Sequence, residues 1–161
     1  LYEKRYVKTE YLLLAVPAAF KSNGAAKSWS LSVADIHNGV HKKQETHGVP
    51  LKMFEEEPFV FLKEHNDTRE RVEELCKRAG VMPKVAWKLD QMLTTYHLTE
   101  QGMGISFISD TAIKYLPKDL NIYYYKIDDP AAKRNVYFYY RRNKYFTRSM
   151  EEFMKLAASE V

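Results

Sequence analysis

The stretch FVFLKEHNDTRER, residues 59–71, gathers polar side chains where a predicted strand gives way to a predicted helix. The first N–H groups of a helix have no partner within it and lie at the positive end of its dipole, so this position favours a bound anion. Asn66, Thr68 and Arg69 offer an amide, a hydroxyl and a guanidinium that can complete such a site. The chemistry predicted here is binding of a small polar or anionic molecule.

The same residues also fit a purely structural role. Asn66 or Asp67 would cap the helix, and His65 would be exposed. Arg69 would pair with Glu73 one turn later, as an exposed helix pair. Capping accounts for one or two polar residues rather than five, so both interpretations stay open at this point.

Two later segments, residues 89–95 and 107–111, repeat the arrangement of a strand end, polar residues and a helix start. In the first of them, Asp90 and Gln91 follow the strand. The carboxyl ends of parallel strands meet at one edge of an open sheet, which is where such folds bind ligands. We therefore expect Asp90 and Gln91 to line one pocket with the residues of the first junction.

Other candidate sites are weaker. The GMG triplet at 102–104 lacks the third glycine of a dinucleotide fingerprint, and it fits a helix stop that runs into a strand, where a side chain would crowd neighbouring backbone. His37, His41 and His47 lack the carboxylate or cysteine spacing of a metal site. Cys76 falls on the apolar stripe of a helix, as a core thiol does. The sequence predicts no metal, no cofactor and no catalytic set.

Residues 136–146, VYFYYRRNKYF, mix aromatic and cationic side chains that can stack bases and hold phosphates. The alternative is a buried aromatic strand followed by a charged turn, and the continuous apolar run favours it. The formal net charge of +4 and the pI near 9.0 come from interspersed charges, which is a weak argument for nucleic acid.

The elements that must position these residues alternate between strand-like and helical patterns, which predicts an α/β fold with a parallel sheet. A helix is expected from Asp67 to Gly80, with Asp67 and Glu70 as a capping box. Further helices are expected at about 91–101, from Ser109 or Asp110 to a residue before Pro117, and near the C-terminus. Strands are expected at Tyr11–Val16, Phe59–Leu62, Val85–Leu89, Ile105–Ile108, Ile122–Ile127 and Val136–Tyr140.

Residues 21–50 interrupt this alternation and predict a long excursion with one helical turn near Val33–His37. The 161 residues hold one cysteine and neither a long apolar segment nor a signal peptide, so a reducing cytoplasm fits best. The strand YLLLAV reads as buried on both faces without preceding neighbours, so we expect an excised fragment of a longer protein.

Five segments carry a resemblance to a known family. They are YLLLAVP (11–17), VPLKMFEEEPFVFL (49–62), RERVEELCKRAGVMPKVAW (69–87), LTEQGMGISFIS (98–109) and KRNVYFYYRRNKYFTRSMEEFMKLA (133–157). In this order and spacing, the chain resembles the effector-binding domain of LysR-type transcriptional regulators. It departs from the family in the long excursion and in Ser109, which stands where a proline is common. The winged helix-turn-helix, the linker helix and the opening strands of the first subdomain are not in this sequence.

The resemblance implies a type 2 periplasmic-binding-protein-like fold, with one complete subdomain (18–135) and remnants of the other (1–17 and 136–161). It implies sensing of a small polar or anionic effector by Asn66, Thr68, Arg69, Asp90 and Gln91. The partners would be further copies in a homo-oligomer, and DNA only through the missing N-terminal domain, with no membrane contact. The alternatives are a solute-binding protein of a transport system and an enzyme built on this fold.

Overall fold

The computed structural model describes residues 1–118, 121–143 and 145–159. Its strands are β1 (Tyr2–Pro17), β2 (Ser30–Leu31), β3 (Pro58–Leu62), β4 (Lys84–Leu89), β5 (Ser106–Ser109), β6 (Ile122–Lys126) and β7 (Lys133–Arg141). Its helices are α1 (Ser22–Ala26), α2 (Val33–His37), α3 (Asp67–Ala79), α4 (Met92–Glu100), α5 (Asp110–Tyr115) and α6 (Arg148–Ser159). All six predicted strands are therefore confirmed, and so are the predicted helices.

The chain forms two compact units. The smaller unit comprises Leu1–Glu10 and Lys133–Val161, and the larger unit comprises Tyr11–Ala132. In the smaller unit β7 pairs with β1, so the strand favoured for this segment is confirmed. The expectation that this strand is buried is wrong, because its side chains are exposed or half-buried. Helix α6 packs on β7 through the rings of Phe138 and Phe153, whose centroids are 5.7 Å apart.

The sheet of the larger unit has the order β2-β6-β1-β5. Strands β3 and β4 pair in parallel, and a parallel bridge between Phe59 and Ile105 joins β3 to the start of β5. Strand β1, however, runs antiparallel to both β5 and β6, so the prediction of an all-parallel sheet is wrong for this strand. A strand buried on both faces carries the same apolar run in either direction, so hydropathy alone could not have revealed its orientation.

Alternate residues of β1 reach two separate cores. Leu12, Leu14 and Val16 belong to one cluster, which includes the apolar face of α3. Leu13 and Ala15 belong to the other, beneath α4 and α5. Because successive side chains of a strand point to opposite faces, β1 is the centre of a three-layer arrangement, as its continuous apolar run predicted.

Helices α3 and α4 begin and end close to the predicted residues. Gly80 ends α3 in the left-handed conformation, with φ 66°. The predicted capping box of Asp67 and Glu70 is wrong, because Asn66 is the cap and its side chain accepts from the backbone N–H of Thr68. Gly104 fits the predicted close approach, since a Cβ there would lie 2.9 Å from the carbonyl oxygen of Pro58.

Residues 21–50 hold more structure than the single turn predicted at Val33–His37, which is confirmed. They also supply α1 and the edge strand β2, which pairs with β6. No helix in the described ranges is both long and apolar enough to cross a bilayer.

Candidate functional site

The first junction connects the end of β3 to the start of α3. His65 adopts a left-handed conformation with φ 64°, uncommon for a residue other than glycine, and its side chain is exposed. The next residue, Asn66, caps α3 and accepts a 2.9 Å hydrogen bond from the backbone N–H of Thr68. The exposed His65 and the capping Asn66 match the structural interpretation of this stretch.

Arg69 lies in the first turn of α3 and is only 8% exposed. Its Nη1 donates to the carbonyl oxygen of Leu62 at 2.9 Å, and its Nε donates to Glu73 at 2.7 Å. The guanidinium also lies 4.7 Å from the centre of the Phe61 ring. The expected pairing with Glu73 is confirmed, but the expectation of an exposed pair is wrong for Arg69, whose side chain ties α3 to the end of β3.

The second junction lies beside the first because β3 and β4 are in parallel register, with Leu62 opposite Leu89. The Nζ atom of Lys63 is 2.9 Å from Oδ2 of Asp90. Gln91 precedes α4 as its N-terminal cap residue, without a capping bond from its side chain. Both Asp90 and Gln91 are exposed, and the charge of Asp90 is balanced by a neighbouring cation.

A small cavity of about 10 Å³ lies at these strand ends, with room for about one water molecule. Thr68 and Arg69 line it, together with Thr95 of α4. The other lining residues are apolar and come from β3, α3 and β5: Val60, Phe61, Leu62, Val72 and Phe107. Asn66, Asp90 and Gln91 are not among the lining residues.

Thr95 lines the cavity but was not among the site residues predicted from the sequence. Its hydroxyl donates to the carbonyl oxygen of Met92 at 2.6 Å. The available signal was a threonine one turn into the helix that follows Gln91. A helix start positions its first two turns, and not only its cap, against the neighbouring strand ends.

The third junction, residues 107–111, connects β5 to α5, and its polar side chains make contacts within the protein. Ser109 caps α5 by accepting from the backbone N–H of Ala112. Asp110 is buried and lies 2.8 Å from Nε2 of His41. Among the described residues, no group of three or more metal-binding side chains is found, and His41 belongs to a buried contact with Asp110 rather than to a histidine cluster.

The charges around the first two junctions are closely paired. Lys88 forms a hydrogen bond with Glu64 and thereby lowers the pKa of that carboxyl to about 2. Asp67 and Glu70 add negative charge to the first turn of α3, which weakens its attraction for an anion. The arrangement offers N–H and hydroxyl donors beside carboxylates, which suits a polar ligand with both donors and acceptors.

Cys76 lies on the core side of α3 and is buried, as predicted. Burial raises the pKa of its thiol to about 11. A thiol with so high a pKa carries little of the reactive thiolate near neutral pH.

The chain matches known proteins in both sequence and fold. A family profile described as the LysR substrate binding domain matches residues 41–161. The chain is 29% identical over 113 residues to the uncharacterized HTH-type transcriptional regulator YcgK of Bacillus subtilis (strain 168), covering 70% of this chain and 34% of YcgK. It thus spans about a third of the length of this curated relative.

Two solved structures are similar over nearly the whole chain. The Synechocystis PCC6803 CcmR regulatory domain in complex with 2-PG has a TM-score of 0.71 and 16% identity, covering 99% of this chain and 66% of that chain. The effector binding domain of QuiR in complex with shikimate has a TM-score of 0.61 and 16% identity, covering 99% of this chain and 65% of that chain. The expected type 2 periplasmic-binding-protein-like fold is confirmed by this likeness. Since the family profile covers most of the sequence, the chain belongs to the LysR substrate-binding domain family.

Proposed function

We propose that this chain senses a small polar or anionic effector on behalf of a LysR-type transcriptional regulator. The observation that carries the proposal is the convergence of two helix starts, at Thr68 and Arg69 on α3 and at Thr95 on α4, at the neighbouring ends of β3 and β4. The cavity between them holds only about one water molecule, so the effector would lie over it. The effector contacts would come from the first two junctions, through Asn66, Thr68, Arg69, Asp90 and Gln91.

The chemistry of these groups narrows the effector class. Arg69 has N–H groups beyond the two that bind Leu62 and Glu73, because a guanidinium carries five. Lys63 balances the charge of Asp90, so that carboxylate repels an anion less than it would alone. A hydroxy acid or a zwitterion can bind both the guanidinium of Arg69 and the carboxylate of Asp90. Shikimate, which QuiR binds, is a hydroxylated carboxylate.

The mechanism is a shift between conformations rather than a reaction. An effector that binds one arrangement of two subdomains more tightly shifts the population towards that arrangement. In this proposal the larger unit belongs to the second subdomain, and the smaller unit contains the remnants of the first. The regulator acts in the cytoplasm as a homo-oligomer, contacts DNA through a winged helix-turn-helix N-terminal to this domain, and does not turn over its effector.

The curated relative YcgK is named as a transcriptional regulator. This relationship favours the regulator over a solute-binding protein of a transport system or an enzyme on the same fold.

A thermal-shift screen with hydroxy acids, amino acids and simple carboxylates tests the proposal. A ligand at 100 times its dissociation constant stabilises the fold by about 2.7 kcal/mol, which is a shift of roughly 5–10 °C for a chain of this size. The Thr68→Val variant keeps the side-chain shape and removes the cavity hydroxyl, so its shift should be smaller. Thr46→Val is the matched control, because the observed contact of Thr46 uses its backbone carbonyl.

Two results would contradict the proposal. One is a screen in which no compound raises the melting temperature of the parent chain. The other is a hit that stabilises Thr68→Val, Thr46→Val and the parent chain equally, which would place the bound compound away from the junction.

A further inference from the structure

The inner part of β1, Tyr11–Pro17, is the strand by which the chain enters the larger unit. It pairs with β5 from Leu12 to Ala15 and with β6 from Leu13 to Pro17. Residues 21–50, the long excursion, contact both ends of this segment through buried polar side chains.

At the C-terminal end of the segment, the buried Asn23 is the contact. Its Nδ2 donates to the carbonyl oxygens of Pro17 at 2.7 Å and Ala18 at 3.3 Å. Its Oδ1 accepts a 2.7 Å hydrogen bond from the hydroxyl of Tyr125. Asn23 therefore holds the end of β1 to the neighbouring strand β6.

At the N-terminal end, the carboxylate of Asp110 links His41 to the backbone N–H of Tyr11. His41 is 0% exposed and Asp110 is 2% exposed. Nε2 of His41 is 2.8 Å from Oδ2 of Asp110, while Oδ1 of Asp110 accepts from the backbone N–H of Tyr11 at 3.1 Å. The rings of Tyr11 and His41 also meet edge to face, with centroids 5.4 Å apart.

These two hydrogen bonds require an ionised Asp110, because both of its carboxylate oxygens accept. Burial by itself would raise the pKa of this carboxyl, but the hydrogen bonds from His41 and from the Tyr11 backbone outweigh burial and lower the pKa. Nδ1 of His41 is buried and has no hydrogen-bond partner among the described residues. Donation from Nε2 of His41 to Asp110 fits this geometry.

The excursion is itself anchored to the sheet. Nζ of Lys126 on β6 donates to the carbonyl oxygens of Lys43 at 3.0 Å and Thr46 at 2.5 Å. The family match begins at residue 41, so Asn23 lies outside the matched region and His41 is its first residue.

We infer that residues 21–50 fix the inner part of β1, Tyr11–Pro17, in the larger unit. Asn23 and His41 are the positioning residues of this segment. His41 orients Asp110, and Asp110 holds the N–H of Tyr11.

Amide hydrogen exchange, measured by NMR residue by residue, tests this inference. In the parent chain, Tyr11 should exchange as slowly as Leu14 at the centre of the strand, within a factor of ten. In His41→Phe, which keeps an aromatic ring and removes the donor, Tyr11 should exchange at least tenfold faster relative to Leu14. His41→Gln retains an N–H donor and should restore the protection, and His47→Phe, at an exposed histidine of the same excursion, should behave as the parent.

Two outcomes would overturn the inference. In the first, Tyr11 and Leu14 lose protection in His41→Phe by the same factor, as they would if His41 contributed only to overall stability. In the second, the parent chain already exchanges Tyr11 at the rate of an exposed amide. This second measurement needs no variant, so it can refute the inference even if His41→Phe fails to fold.

Discussion

Replacing Arg69 by alanine should destabilise the chain far more than the loss of a surface ion pair. The carbonyl oxygen of Leu62 would lose its 2.9 Å bond to Arg69, and a buried acceptor left without its donor costs about 1–3 kcal/mol. Loss of the contact with the Phe61 ring adds about 0.5–2 kcal/mol. We therefore expect Arg69→Ala to lower the free energy of unfolding by about 1.5–5 kcal/mol.

Glu73→Gln is the control, because it removes the charge of the ion pair and leaves the other two contacts of Arg69 intact. The side chain of Glu73 is 53% exposed, so its pair with Arg69 should contribute only about 0.3–0.5 kcal/mol. Urea unfolding monitored by tryptophan fluorescence measures both variants. If Arg69→Ala cost no more than Glu73→Gln, the buried contacts of Arg69 would not be stabilising and the reasoning would fail.

Three further predictions concern the close packing of Gly104 against Pro58, the reactivity of the Cys76 thiol and the binding of DNA. Gly104→Ala should cost about 1–3 kcal/mol in urea unfolding because its Cβ would crowd the Pro58 carbonyl, whereas Gly24→Ala, which enters open space, should cost almost nothing. At pH 9, Cys76 should react with Ellman's reagent only after unfolding, since its pKa is about 11; rapid labelling of the native chain would contradict its burial. In gel shifts at physiological salt, the chain should bind DNA weakly and without sequence preference, given its net charge of +4, and a specific complex would refute this.

Hydrophobic periodicity was sufficient to predict six of the seven strands in the described residues and the main helices, because apolar side chains at spacing 2 or 3.6 reflect burial directly. It missed the two-residue edge strand β2, which is too short to show a period. It also indicated the junction at Asn66–Arg69, where polar types cluster after an apolar run. It could not reveal the burial of Arg69, since a long side chain near a helix start can point to solvent or back to a strand end. Nor could it reveal the contact between His41 and Asp110, which are 69 residues apart.

The most direct test of the account is to map a bound effector by NMR on the chain itself. A compound that stabilises the chain in the thermal-shift screen would be titrated while the backbone amide resonances are followed. We predict that the largest saturable changes occur at residues 66–69 and 90–95, at the starts of α3 and α4. Changes of that size confined to other parts of the chain, with these two segments unaffected, would contradict the assignment of the site.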